Sequence, residues 1–198
     1  MHGLILVSLR DYLQAVNGGR HAAEMLADSD SHLVSEAYPD EEFDGLLERA
    51  CAATGTGREA LLRDFGSFTA EHTFARLYPD LFNVASTART FVLNVERPIH
   101  ELVRVAMPNA RPPELAVSEL GEQGVAIVYR SRRRLCAFLT GLVAGTARHY
   151  GEVARIEQRT CMHRGDDACT FEVRFERDPF ASPGYGRGGQ QRPAAVDH

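Results

Sequence analysis

No stretch of the 198 residues approaches about 18 uninterrupted apolar positions, so the sequence offers no candidate membrane span. The opening "MHGLILVSLRDYLQAV" has neither the basic leading region nor the continuous apolar run of a secretory signal, which points to the cytoplasm. Cysteines number only four, and three of them, Cys136, Cys161 and Cys169, fall in one third of the chain, which suits a metal or redox site better than a disulfide framework. Cys51 stands apart, in the setting of a buried structural thiol. No nucleophile–base pair or paired carboxylates stand out, so catalysis has no support and the chain reads as a non-enzyme. A net charge of −5 speaks against a nucleic-acid partner, because phosphate-tracking proteins spread positive charge over a whole face. With 44% apolar and 25% charged residues, the chain has the composition of a single globular domain with a real core.

The periodicity divides this domain in two. Residues 1 to about 90 read as helices: "GLILVSLRDYLQAV" presents Leu4, Ile5, Leu9, Leu13 and Val16 on one face and meets a glycine stop in "AVNGG". Later segments include "PDEEFDGLLERACAATG", with acids early and glycine late. Phe65, Phe68, Phe74 and Phe82 fall within eighteen positions of this half. A further helix begins near Pro98, which suits a first turn, and the prolines at 108, 112 and 113 end it. From Glu114 the pattern changes to alternation: "ELAVSEL", "GVAIVYRS", "VARIEQRTCMH" and "ACTFEVRFE" read as strands joined by tight turns, with one helix between the second and third. The expected fold class is therefore α+β, a helical lobe at about 1–90 and a helix-plus-sheet lobe at about 91–178, built on a small antiparallel sheet with one long inserted helix. Residues 179–198, rich in Gly, Pro and Gln, read as a disordered tail.

Three features bear on chemistry. His100 shares a helical face with Val103 and Met107, and a lone histidine there is either a satisfied core residue or a ligand. In "VYRSRRRLC" strand alternation puts Tyr129, Ser131 and Arg133 on one face, two hydroxyls and a guanidinium suited to carboxylates. A phenylalanine-rich lobe, an imidazole and a carboxylate-binding edge together match the shape of haem, an apolar disc with an iron and two propionates. In "CMHRGDDAC" Cys161 and His163 fall at i and i+2, a turn near Asp166 would set Cys169 across from His163, and Cys136 on the later helix would complete a Cys3His zinc tetrahedron. Inert or redox-reactive thiols are the other reading of the same residues.

The "MHGLILVSL" opening, "FGSF" at Phe65 to Phe68, "FVLNVERPIH", and Tyr-x-Ser-x-Arg beginning 29 residues after His100 together resemble the haem nitric oxide/oxygen binding (H-NOX) domain, over roughly residues 1–175. That family also supplies the haem domain of soluble guanylate cyclase. The resemblance implies the H-NOX fold and haem b. His100 matches the proximal iron ligand, Tyr129, Ser131 and Arg133 the propionate triplet, and Pro113 the proline that bends the porphyrin. Ile5, Leu9, Phe138 and Leu142 match positions lining the distal pocket. The family's usual aspartate before the histidine is Glu96 here, a minor departure. Members that hold dioxygen place a tyrosine donor where this chain has Phe138, so the resemblance implies a nitric oxide sensor. Signalling would follow weakening of the iron–His100 bond and relaxation of the haem. It would act in trans on a histidine kinase or a cyclic-dinucleotide enzyme, because the chain carries no output segment of its own. Some bacterial members are similar in the cysteine-rich region too, with a zinc that responds to oxidants. The C-terminal "CMHRGDDACTFEVRF" also resembles the 4-vinyl-reductase-like domains, and on that alternative the chain is a zinc-stapled small-molecule-binding module without haem.

Overall fold

The computed structural model describes residues 1–26, 32–94 and 112–180. His100, the helix expected around it and the tail beyond residue 180 lie outside the described residues. Helix α1 spans Gly3–Leu26 and buries Leu4, Leu9 and Leu13 as the spacing predicts, whereas Val16 is 54% exposed. The expected stop at Gly18–Gly19 does not occur. Each glycine costs a helix roughly 1 kcal/mol relative to alanine, and the run of Ala, Glu, Met and Leu that follows is strong enough to carry the helix through. Helix α2, Asp40–Thr54, has Asp40, Glu41 and Glu42 in its first turn, where they meet the positive end of the dipole, and closes on Gly55 at φ 66°. Helix α3, Arg58–Phe68, runs without a break into a π-helical segment, Thr69–Phe74, then α4, Ala75–Leu77, and α5, Pro79–Val84. Residues 88–94 are helical again and are called α6.

The four strands follow the expected order. β1 (Glu114–Leu120), β2 (Gly124–Arg130), β3 (Glu152–Thr160) and β4 (Cys169–Arg177) form an antiparallel sheet ordered β1-β2-β4-β3. Register is set by burial: Val125, Ile127, Tyr129, Phe171 and Val173 alternate inward on the two central strands. Helix α7, Cys136–His149, connects β2 to β3 and joins the two halves. Ala137 and Phe138 complete a helical core with Leu6, Leu47 and Phe65, while Cys136, Val143 and Ala147 complete the core over the sheet. α7 crosses α3 at unusually short range. A Cβ on Gly66 would lie 2.2 Å from the Phe138 carbonyl oxygen, and one on Gly141 would lie 2.1 Å from that of Arg63, so only glycine permits the approach. Where α1 meets the π-helix, Ser8 Oγ lies 3.0 Å from Thr69 Oγ1 and 2.8 Å from Thr73 Oγ1, a buried hydroxyl cluster. No helix among the described residues is long and apolar enough to cross a membrane.

Candidate functional site

Walled by α1, the π-helix, α6, α7 and the inner faces of β1 and β2 lies a cavity of about 510 Å³. That volume is in the range of small-molecule and cofactor sites, roughly 300–1,000 Å³. Its wall is largely apolar: Ile5 from α1, Phe74 from the π-helix, Phe82 and Phe91, Pro113 ahead of β1, and Phe138 and Leu142 from α7. Phe65 lies in the core behind it and stacks on Phe138 with ring centroids 4.8 Å apart, holding that ring in place. Of the distal positions expected from the sequence, Ile5, Phe138 and Leu142 line the cavity. Leu9 does not: it is fully buried among the α1–α3 side chains, one turn of helix beyond Ile5.

One edge of the cavity is polar, and it is made by the residues singled out in "VYRSRRRLC". Tyr129, Ser131 and Arg133 all line it, but strand alternation is not the cause, because β2 ends at Arg130. A turn closed by the Arg134 N–H on the Ser131 carbonyl (3.1 Å) brings the last two in. The Tyr129 oxygen accepts the Leu135 N–H at 3.0 Å, and burial pushes its pKa up, so the phenol keeps its proton for donation. Arg133 Nε donates to Asp40 Oδ1 at 2.7 Å, and the Met1 ammonium donates to the same oxygen at 2.8 Å. Burial works to raise the Asp40 pKa, but the hydrogen bonds and charges of Met1 and Arg133 outweigh it and hold the carboxyl below its usual range. His2 also lines the cavity. Its Nδ1 accepts the Leu4 N–H at 3.1 Å, and burial followed by the N-terminal charge lowers its pKa, so the neutral ring carries its proton on Nε2. Sequence reasoning missed Asp40 and His2, which are contributed from far along the chain. This edge sets a guanidinium, an ammonium and two hydroxyls against one carboxylate, a receptor for carboxylate groups on a large apolar body.

The second group lies across α7. The sulfurs of Cys136, Cys161 and Cys169 all fall within 4.8 Å of one another, those of Cys136 and Cys161 at 4.0 Å, and all three residues are buried. They are free thiols. Sulfurs sharing a tetrahedral zinc sit about 3.8 Å apart for a bond of about 2.3 Å, so a small contraction would seat the ion. Burial, then the charges of Cys169 and Cys161, push the Cys136 thiol up to about 12. Burial also opposes ionisation of Cys161, yet the His163 N–H and the neighbouring thiols outweigh it and its pKa is lowered. The structure does not bring His163 to these sulfurs. β3 ends at Thr160, the chain turns into a 3-10 helix at Met162–Arg164, and the exposed His163 places Nε2 2.8 Å from the Arg134 carbonyl. Cys161 and His163 would share one face only on a strand that continued past Thr160. The neighbour found instead is Gln158, whose side chain lies against Cys161 and helps lower its pKa.

The model of the haem-NO-binding (HNOB) family matches residues 2–158. The chain belongs to that family. Haem-NO-binding domains are haem-based gas sensors, and the cavity fits the group they hold: apolar walls of suitable volume, a carboxylate-binding edge, and Pro113 at the wall. His100, which would hold the iron, lies outside the described residues. Among solved structures, an H-NOX protein from S. oneidensis in the Fe(II)NO ligation state aligns with a TM-score of 0.81 at 23% identity, over 89% of this chain and 100% of that one. An Fe(II) unliganded H-NOX protein from K. algicida aligns with a TM-score of 0.75 at 22% identity, over 92% and 100%. The sheet and helical lobe described above are thus the H-NOX fold. A curated relative, soluble guanylate cyclase 89Da of Drosophila melanogaster, is 24% identical over 161 residues, covering 76% of this chain. The match spans only 23% of that relative's length.

Proposed function

We propose that this haem-NO-binding chain is a nitric oxide sensor that binds haem b in the 510 Å³ cavity and passes its signal to a separate protein. The observation that carries it is the cavity's division into an apolar wall at Ile5, Phe138 and Leu142 and a carboxylate edge at Tyr129, Ser131 and Arg133. When bound, haem would supply a ferrous iron able to take a diatomic gas. His100 would hold that iron through a neutral imidazole, and through this residue gas binding would reach the protein. Arg133, Ser131 and the Tyr129 hydroxyl would hold the two propionates, with Arg133 giving up Asp40 for them. Pro113 would lie against the group from the wall. Phe138, Ile5 and Leu142 exclude water and offer no hydrogen bond, which disfavours dioxygen, whereas nitric oxide needs no donor. Thr146, which also lines the cavity, is eight residues beyond Phe138 on α7, roughly 12 Å by helical rise. The receiver is a histidine kinase or a cyclic-dinucleotide enzyme. Cys136, Cys161 and Cys169 hold zinc, with His163 leaving the Arg134 carbonyl to become the fourth ligand.

The test is spectroscopic. The protein expressed with haem should show a Soret band that His100→Ala abolishes and added imidazole restores. Phe138→Tyr should slow dioxygen dissociation by at least tenfold, while Tyr78→Phe, which removes another hydroxyl from the wall, should leave ligand preference unchanged. A colourless protein favours the haem-free binding module instead.

A further inference from the structure

The carboxylate edge uses one of the four arginines in "VYRSRRRLC", and a neighbour points to a second surface. Above the thiol cluster, between α3, α7 and β3, runs a groove of about 860 Å³. Its lining holds six arginines, at 58, 63, 133, 134, 148 and 164, against two carboxylates, Glu59 and Asp64, in a chain whose net charge is −5. The sequence contains no lysine, so every basic side chain is a guanidinium, the group that grips carboxylates by two parallel N–H bonds. We propose that this groove is the output surface of the sensor, a docking site for an acidic segment of the partner protein. The inference rests on the sensor reading for what is signalled, and on the groove for where.

Three observations support it. Arg134 and Arg164 are exposed and make no ion pair among the described residues; Arg164 donates only to the Arg159 carbonyl at 3.2 Å. Arg58 and Arg63 pair with Asp44 and Glu59 at exposed sites, where such pairs are weak and readily exchanged, and Arg148 pairs with the half-buried Glu71. Arg134 is also the one non-glycine among the described residues with positive φ, 49°. Such a conformation is strained for a residue with a Cβ and persists only where its surroundings impose it. Here its N–H is held by the Ser131 carbonyl. The same short turn therefore carries Arg133, which lines both the cavity edge and the groove, and Arg134, which lines the groove alone, so whatever displaces Arg133 from Asp40 is felt one residue away. A nucleic acid is the poorer occupant, because arginines gathered over one groove of a chain with net charge −5 do not make the whole positive face that a continuous phosphate track follows.

The probe is a fluorescein-labelled decaglutamate peptide followed by anisotropy against the full chain in its ferrous and ferrous nitrosyl forms, with an oligothymidine of equal charge alongside. Saturable peptide binding is expected, weakened at least tenfold in the Arg134→Gly, Arg164→Glu double variant and unchanged in Arg155→Glu, which reverses a charge on the exposed Arg155–Glu176 pair of the sheet. An unchanged double variant, an equal loss in Arg155→Glu, or tighter binding of the oligothymidine overturns the proposal. Peptide affinity should differ at least twofold between the two forms, and equal affinities would detach the groove from the cavity and overturn its role as output. The Soret shift on nitric oxide, read in the same samples, reports separately whether the sensor reading stands.

Discussion

Replacing glycine by alanine in a helix ordinarily stabilises it, and this chain contains sites where the sign must reverse. Gly45 lies inside α2, and a Cβ there meets nothing closer than Arg49 Nη1 at 3.6 Å, an ordinary contact. Gly45→Ala should therefore stabilise by about 0.5–1 kcal/mol through helix propensity alone. At Gly141 the added carbon would sit 2.1 Å from the Arg63 carbonyl oxygen and 2.9 Å from the Gly66 Cα. Non-bonded carbons prefer about 3.5 Å, so α3 and α7 must separate by roughly 1 Å. Overpacking of that order costs about 1–3 kcal/mol, or roughly 2–12 °C in Tm at this size. Gly66→Ala, 2.2 Å from the Phe138 carbonyl, should cost a similar amount. Guanidinium titration followed by circular dichroism tests both signs: the midpoint should rise for Gly45→Ala and fall for the other two, at constant slope. If Gly141→Ala matched or exceeded the parent, the close helix crossing that joins the two halves would be wrong.

Asp40, whose pKa is held down, contributes stability that is present above the usual carboxylate pKa and is lost as pH falls through the folded value. Asp40→Asn should lower stability at pH 7 by about 1 kcal/mol or less, the side chain being 43% exposed, and the gap to the parent should close below about pH 3. Melting curves across that range check it, and a gap that persists in acid would refute the assignment. For the thiol cluster, one zinc per chain is expected on purification, near none in Cys169→Ser, and release on mild peroxide oxidation, read with a chromogenic chelator. Purified protein without zinc, or zinc that peroxide does not release, would refute that site.

Much of this was legible from residue patterns because local rules governed it. The four strands fall within one or two residues of their expected spans, except where β3 stops at Thr160. Tyr129, Ser131 and Arg133 do converge, yet by a turn that alternation could not anticipate. His163 was placed on a continuing strand, and the Cys161 N–H bonding to Asp166 Oδ2 at 2.7 Å helps divert the chain there instead. Leu9 fits the apolar stripe of α1, but a stripe does not say which residues face a neighbour and which a void. Asp40 reaches Arg133 across 93 positions, a separation that no local pattern encodes.

The π-helical segment at Thr69–Phe74 holds a final consequence. A π-turn is in effect a one-residue insertion into an α-helix, and each residue added or removed rotates everything downstream by about 100°. Phe74 and Tyr78 both meet the cavity in that shifted phase. Deleting one residue between 69 and 73 would swing both rings about a quarter turn while leaving every side chain of the wall chemically intact. Relatives that differ here by a single insertion or deletion can therefore enclose differently shaped chambers with nearly identical amino acids, and a gap misplaced by one column would pair the wrong aromatics.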